Sequence, residues 1–152
     1  MPVVTTKYFG PIPYEGNAEI EFPWGVPGFE DRRLFVAIRF PRTDPLVFLQ
    51  SMEDPELCFI ALAAQIADPG YRLSMSEADL RRLQLPIFRQ PRIGHDVQCL
   101  TVLAVRETGP TANLLAPVVI NLRTMKAVQA IACDSQYSHC SQLRLEWATL
   151  CS

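Results

Sequence analysis

No apolar run in this 152-residue chain approaches the roughly 18 residues that a membrane-spanning helix needs; the longest is Leu57 to Ala64. No sign of charge prevails either. Lys plus Arg number 14 and Asp plus Glu 16, a net charge of −2, so no overall field draws the chain onto nucleic acid or an anionic membrane. The opening MPVVTTKYFG has no basic stretch followed by an apolar one, and the expected location is the cytosol. The five cysteines, at 58, 99, 133, 140 and 151, form no CxxC pair, and the spacing of Cys133, His139 and Cys140 fits no standard zinc pattern. The phosphate-binding glycine motifs, HExxH and GxSxG are all absent. His95 and His139 stand far apart, each in a polar segment. No cofactor, no metal and no catalytic constellation is expected.

Proline is abundant: 13 residues, scattered from Pro2 to Pro117 with no PxxP array, well above the usual level of about 5%. Such spacing punctuates short elements and disfavours long helices. Seven segments read as strands: 18–22, 34–40, 46–51, 57–64, 98–106, 113–122 and 126–132. The AEIEF of 18–22 alternates strictly, whereas LCFIALAA is apolar throughout and reads as a central strand. Gly10–Pro11 reads as a turn, and Pro117 implies an edge, a bulge or a bend within 113–122. One helix is expected before Pro86, started either by Ser74 with Glu77 or by Ser76 with Asp79, and carrying Leu80 and Leu83 on one face. Residues 86–96 read as a mostly polar linker. About seven strands and one helix suggest a small β-barrel or folded sheet, mainly β and mostly antiparallel. The segment LRLEWATLCS at 143–152 fits strand and helix equally, so the expected organisation is one domain over 1–142 and a tail.

Several polar residues interrupt apolar strands. Gln50 ends LVFLQ, Asn113 and Asn121 bracket LLAPVVI, and Gln129 sits in AVQAI. Buried amides must find partners, so these residues either satisfy irregular backbone or contact a partner. Cys58 and Cys99 lie in apolar runs and read as small packing residues. Glu53–Asp54, the cluster at 30–33 and Arg81–Arg82 read as solvated charges.

KYFG at 7–10, FPWGVPGFE at 22–30, FLQSMEDP at 48–55 and NLLAPVVIN at 113–121 resemble the family of flagellar assembly factor FliW; Gln129 and DSQY at 134–137 match its C-terminal pattern. The resemblance implies a small barrel-like antiparallel β domain with short helical elements. It also implies a non-enzymatic cytoplasmic protein that binds the carbon storage regulator CsrA, relieves its repression of flagellin translation, and binds flagellin itself. No direct nucleic-acid or membrane contact is expected. Candidate contact residues are Trp24 and Phe29 in the rigid PWGVPGFE loop, Phe48, Gln50 and Ser51 on their strand, and Asn113 and Asn121. Two features depart from the family. Ala63-Ala64-Gln65 stand where the family carries an acidic residue and proline, with Asp68–Pro69 shortly after, and Ser138–His139 replace an Arg-His pair. A module that binds flagellin without CsrA is therefore the second expectation, and a small thiol-based enzyme or redox sensor a third.

Overall fold

The computed structural model describes residues 1–133 and 136–143. Its strands are β1 (Val3–Thr6), β2 (Gly10–Pro13), β3 (Glu19–Glu21), β4 (Leu34–Ile38), β5 (Val47–Ser51), β6 (Cys58–Ala63), β7 (Val97–Arg106), β8 (Gly109–Ala112), β9 (Val118–Asn121), β10 (Lys126–Gln129) and β11 (Ser141–Gln142). Two short helices, α1 (Ala64–Ala67) and α2 (Glu77–Arg82), lie between β6 and β7. No helix among the described residues is long and apolar enough to cross a membrane.

Seven strands close into a barrel in the order β3, β4, β5, β6, β7, β9, β10 and back to β3. Every pairing is antiparallel except the last. There Lys126 faces Glu21 in parallel, and the Glu21 N–H donates to the Met125 carbonyl at 3.1 Å. These seven fall within the seven segments that read as strands in the sequence. Closure matters physically because it removes the unpaired edges that an open sheet would leave.

Period-two alternation divides the side chains between the two faces of this ring. One cluster, including Ile20, Phe35, Leu49, Ala61, Leu100, Val118, Ile120 and Ala127, draws on all seven ring strands. On the opposite face of β3, Glu19 and Glu21 meet solvent. The first cluster is therefore the barrel interior. The outer faces of the other strands are covered by a second, larger cluster built with the β1–β2 hairpin, residues 71–75 and α2; Val36, Leu62, Tyr71, Leu80 and Leu83 belong to it. Fully burying one such aliphatic side chain stabilises by about 1.5–3 kcal/mol.

The structure changes several local expectations. Gly10 and Pro11 are not a turn: they begin β2, where Pro11 faces Thr5, and residues 7–9 make the turn. Proline is tolerated there because β2 is an edge strand. Ala64 leaves β6 to open α1, in keeping with the high helix propensity of alanine in AAQIA. Ser76 starts α2, its hydroxyl accepting the Asp79 N–H at 3.1 Å, so the later of the two starts is the one used. The segment 113–122 is strand only over β9. The strand β7 carries β8 and β9 along one side, Leu103 facing Ala112 and Leu100 facing Val118, so the intervening residues must bulge out. Leu143 packs against the outer core, and 144–152 of the expected tail lie outside the described residues, as do 134–135 of the DSQY match.

Candidate docking loops at the barrel mouth

Residues 22–34 connect β3 to β4 in a loop tied by its own backbone. Phe22 N–H donates to the Arg33 carbonyl at 2.7 Å, Gly25 N–H to Phe22 at 2.8 Å, Phe29 N–H to Val26 at 2.7 Å and Arg32 N–H to Phe29 at 2.9 Å. Gly25 and Gly28 hold φ of 72° and 88°, the left-handed region that glycine enters without strain. At Gly25 the chain crosses itself so closely that an added Cβ would collide with the Glu30 backbone, its carbonyl oxygen first. This is why the PWGVPGFE segment is rigid.

The neighbouring turn, 51–57, is organised from beneath by one amide. Gln50 is fully buried, and its Nε2 donates toward the carbonyls of Ser51 and Leu57 at 3.1 Å and of Asp54 and Pro55 at 3.3 Å. Two N–H groups are thus shared among four carbonyls. Ser51 is buried beside it, its Oγ accepting the N–H groups of Glu53 and Asp54 at 3.1 and 2.9 Å. Glu53, read from sequence as a solvated charge, instead accepts the N–H groups of Arg33 and Leu34 at 2.6 and 2.8 Å and joins the turn to the 22–34 loop. Arg32 completes the junction through Asp31 and, at 3.6 Å, Asp54.

Two aromatics stand half-exposed on this frame. Trp24 is 49% exposed, with the Arg82 guanidinium 5.8 Å from its ring; Phe29 is 42% exposed and packs edge-to-face on Phe59 at 5.8 Å. Arg81 and Arg82, exposed as expected, also pair with Glu77 and Asp79. Phe48 is buried on the outer face, with Phe9 at 4.9 Å and Phe40 at 5.9 Å. Asn113 and Asn121 are likewise turned to local work. The Asn113 Oδ1 accepts the Ala116 N–H at 3.0 Å while Gln129 donates to the Ala116 carbonyl at 3.0 Å. The bulge before Pro117 is thereby held on both sides. Asn121 is buried; its Nδ2 donates to the Leu83 carbonyl at 2.7 Å and its Oδ1 accepts the Arg123 N–H at 2.9 Å. Of the seven candidate contact residues, then, the structure brings Trp24 and Phe29 to the surface beside a turn shaped by Gln50 and Ser51. It places Asn113 and Asn121 elsewhere on the barrel and Phe48 in the outer core.

A structural tie that strand and turn patterns did not reveal is made by Asp96. Within the expected polar linker, its Oδ2 accepts from the Arg89 guanidinium at 2.9 Å and the Arg92 N–H at 2.8 Å. Those bonds hold its carboxyl at about 2, below the ordinary 3.8. His95 and His139 are exposed, and among the described residues no three His, Cys, Asp or Glu side chains converge on a metal site. Burial pushes the Cys58 thiol up to about 11 and the Cys99 thiol up to about 12.

The arrangement defines a class: a closed β-barrel that presents rigid, aromatic-tipped loops. Comparison with known proteins narrows it. The model of the FliW protein family matches residues 3–143. Flagellar assembly factor FliW of Bacillus licheniformis is 32% identical over 137 residues, 89% of this chain and 92% of that protein; its counterpart from Bacillus pumilus is 32% identical over 151 residues, 98% and 99%. A crystal structure of the flagellar assembly factor FliW superposes with a TM-score of 0.80 at 29% identity, covering 95% of this chain and 99% of that one. The chain belongs to the FliW family, and its role is that of a flagellar assembly factor.

Proposed function

We propose that this assembly factor works by binding rather than by chemistry: in the cytoplasm it binds the translational regulator CsrA, relieves repression of flagellin translation, and binds flagellin. Membership of the FliW family along nearly the whole chain is the observation that carries this reading. The local geometry supports a binding role. Interface cores are enriched in aromatic anchors on pre-organised backbone, and Trp24 and Phe29 stand half-exposed on a loop closed by its own hydrogen bonds.

Calorimetric titration with the CsrA and then the flagellin of the same host tests the proposal. Saturable binding to both at defined stoichiometry is expected, and silence with both would overturn it. A second reading, flagellin binding alone, is favoured by one feature. Where the family resemblance leads to an expected acidic residue and proline, this chain runs into α1 with Ala63-Ala64-Gln65. The nearby Asp68 uses its carboxylate to accept the Gly70 N–H at 3.0 Å. A signal with flagellin and none with CsrA would select that reading.

A further inference from the structure

At the barrel mouth the interior is incompletely filled. A largely apolar cavity of about 200 Å³ opens between the 22–34 loop and the strands, lined chiefly by Pro27, Phe35, Leu49, Phe59, Val102 and Val118, with Gln129 as its polar wall. An apolar cavity of about 150 Å³ takes a benzene ring, so this one matches a single aromatic side chain. Its lip is rigid for the reasons given: Gly25 crosses Glu30 without room for a Cβ, and Phe29 is packed against Phe59. Entry of a guest would require no reordering of the loop.

Charge beside the opening narrows the guest further. The two joined loops carry Glu30, Asp31, Glu53, Asp54 and Glu56 against Arg32 and Arg33. Of these cations, Arg32 is already engaged by Asp31 and Asp54, and Lys7 reaches in from the hairpin to Glu56 at 3.4 Å. Asp31 keeps 77% of its side chain exposed. The surroundings of the apolar opening are thus net acidic, a complement for positive charge.

We infer that the barrel mouth is a docking pocket for one aromatic side chain carried on a basic segment of a partner protein. This rests on the reading of the chain as a binding protein and adds to it the place and chemistry of one contact. The aromatic ring fills the cavity and displaces water from its apolar lining. Flanking lysines or arginines face the carboxylates of 30–31 and 53–56 and set direction and on-rate.

The test uses the full chain, labelled on its valine and leucine methyls, and synthetic capped pentapeptides followed by NMR. The probe has a central phenylalanine between lysines and arginines. One control replaces those cations with glutamates, and another replaces the phenylalanine with alanine. Saturable shifts at the Val102, Val118 and Leu49 methyls are expected with the probe, with at least tenfold weaker binding for each control. Val102→Phe, which fills the cavity from a half-buried position, abolishes the shifts; Asp31→Lys, at an exposed site, weakens binding without filling anything and serves if the first variant does not fold. No saturable shift at those methyls, or equal binding of the acidic peptide, would overturn the inference. Because neither CsrA nor flagellin is in the tube, the outcome is separable from the titration above. Peptide failure alongside partner binding removes only the pocket, and the converse removes only the named partners.

Discussion

The barrel mouth and the flank around α2 are held by different physics. At the mouth the anchors are chiefly neutral: backbone hydrogen bonds within 22–34, two glycines at positive φ, and the buried Gln50 amide beneath 51–57. On the flank the segment 89–97 hangs on the ionised Asp96, which accepts from Arg89 and from the Arg92 N–H, and on the Leu122 N–H donated to the Asp96 carbonyl at 3.1 Å; the neutral Asn121 amide holds the end of α2 beside it through the Leu83 carbonyl. A neutral hydrogen bond keeps its shape whatever the proton concentration, whereas a carboxylate tie holds only while the carboxylate is charged. Within the 22–34 loop and beneath 51–57 the ties are of the first kind, and the Glu53 carboxylate joins the two.

The sharpest way to break this contrast is Gln50→Glu. It sets a carboxylate among four carbonyl oxygens in a fully buried position, and a loss above about 3 kcal/mol is expected by chemical denaturation. Gly25→Ala comes next. Its Cβ collides with Glu30 backbone at a positive φ, so a loss of about 2–3 kcal/mol is expected, together with weakened partner binding because the lip must move. On the flank, Asn121→Ala leaves the Leu83 carbonyl and the Arg123 N–H without their side-chain partners and is expected to cost about 2 kcal/mol. The mildest effect is acid. Asp96 has its carboxyl at about 2, below the 3.8 of its unfolded state, so protonation favours the unfolded chain. Its contribution is fully present above about pH 4 and is lost as pH falls through 2. Protection factors for amide exchange across 89–97, taken against the intrinsic rate at each pH, should fall in that window in the native sequence. In Asp96→Asn they should already be low at neutral pH and show no such step.

Strands were legible wherever alternation or an unbroken apolar run was long enough to declare itself, and the seven so read are the seven that close the ring. β8 and β11 were not legible: Gly109 to Ala112 has too little apolar character, and its pairing comes from lying alongside β7. The α1 turn was hidden because alanine and isoleucine suit a strand and a helix alike over so short a run. The amides in apolar strands were visible as anomalies, but their roles were not. Gln50 and Asn121 satisfy carbonyls of segments whose approach depends on the fold, Leu83 lying far from Asn121 in sequence. The same holds for Glu53, whose acceptor role requires 33–34 and 53 to meet across the β4–β5 pair.

By itself, the sequence determined where the seven ring strands lie, where glycine and proline stiffen the loops, and to which family the motifs point. Those properties are local: they follow from side-chain polarity at period two and from backbone torsions at single residues. Closure of the ring was decided only by tertiary structure, through the one parallel pair between Glu21 and Lys126. So were the cavity at the mouth and the acidic surface beside it, because each is a distance between residues remote in sequence, set by the packing of two cores rather than by any one segment.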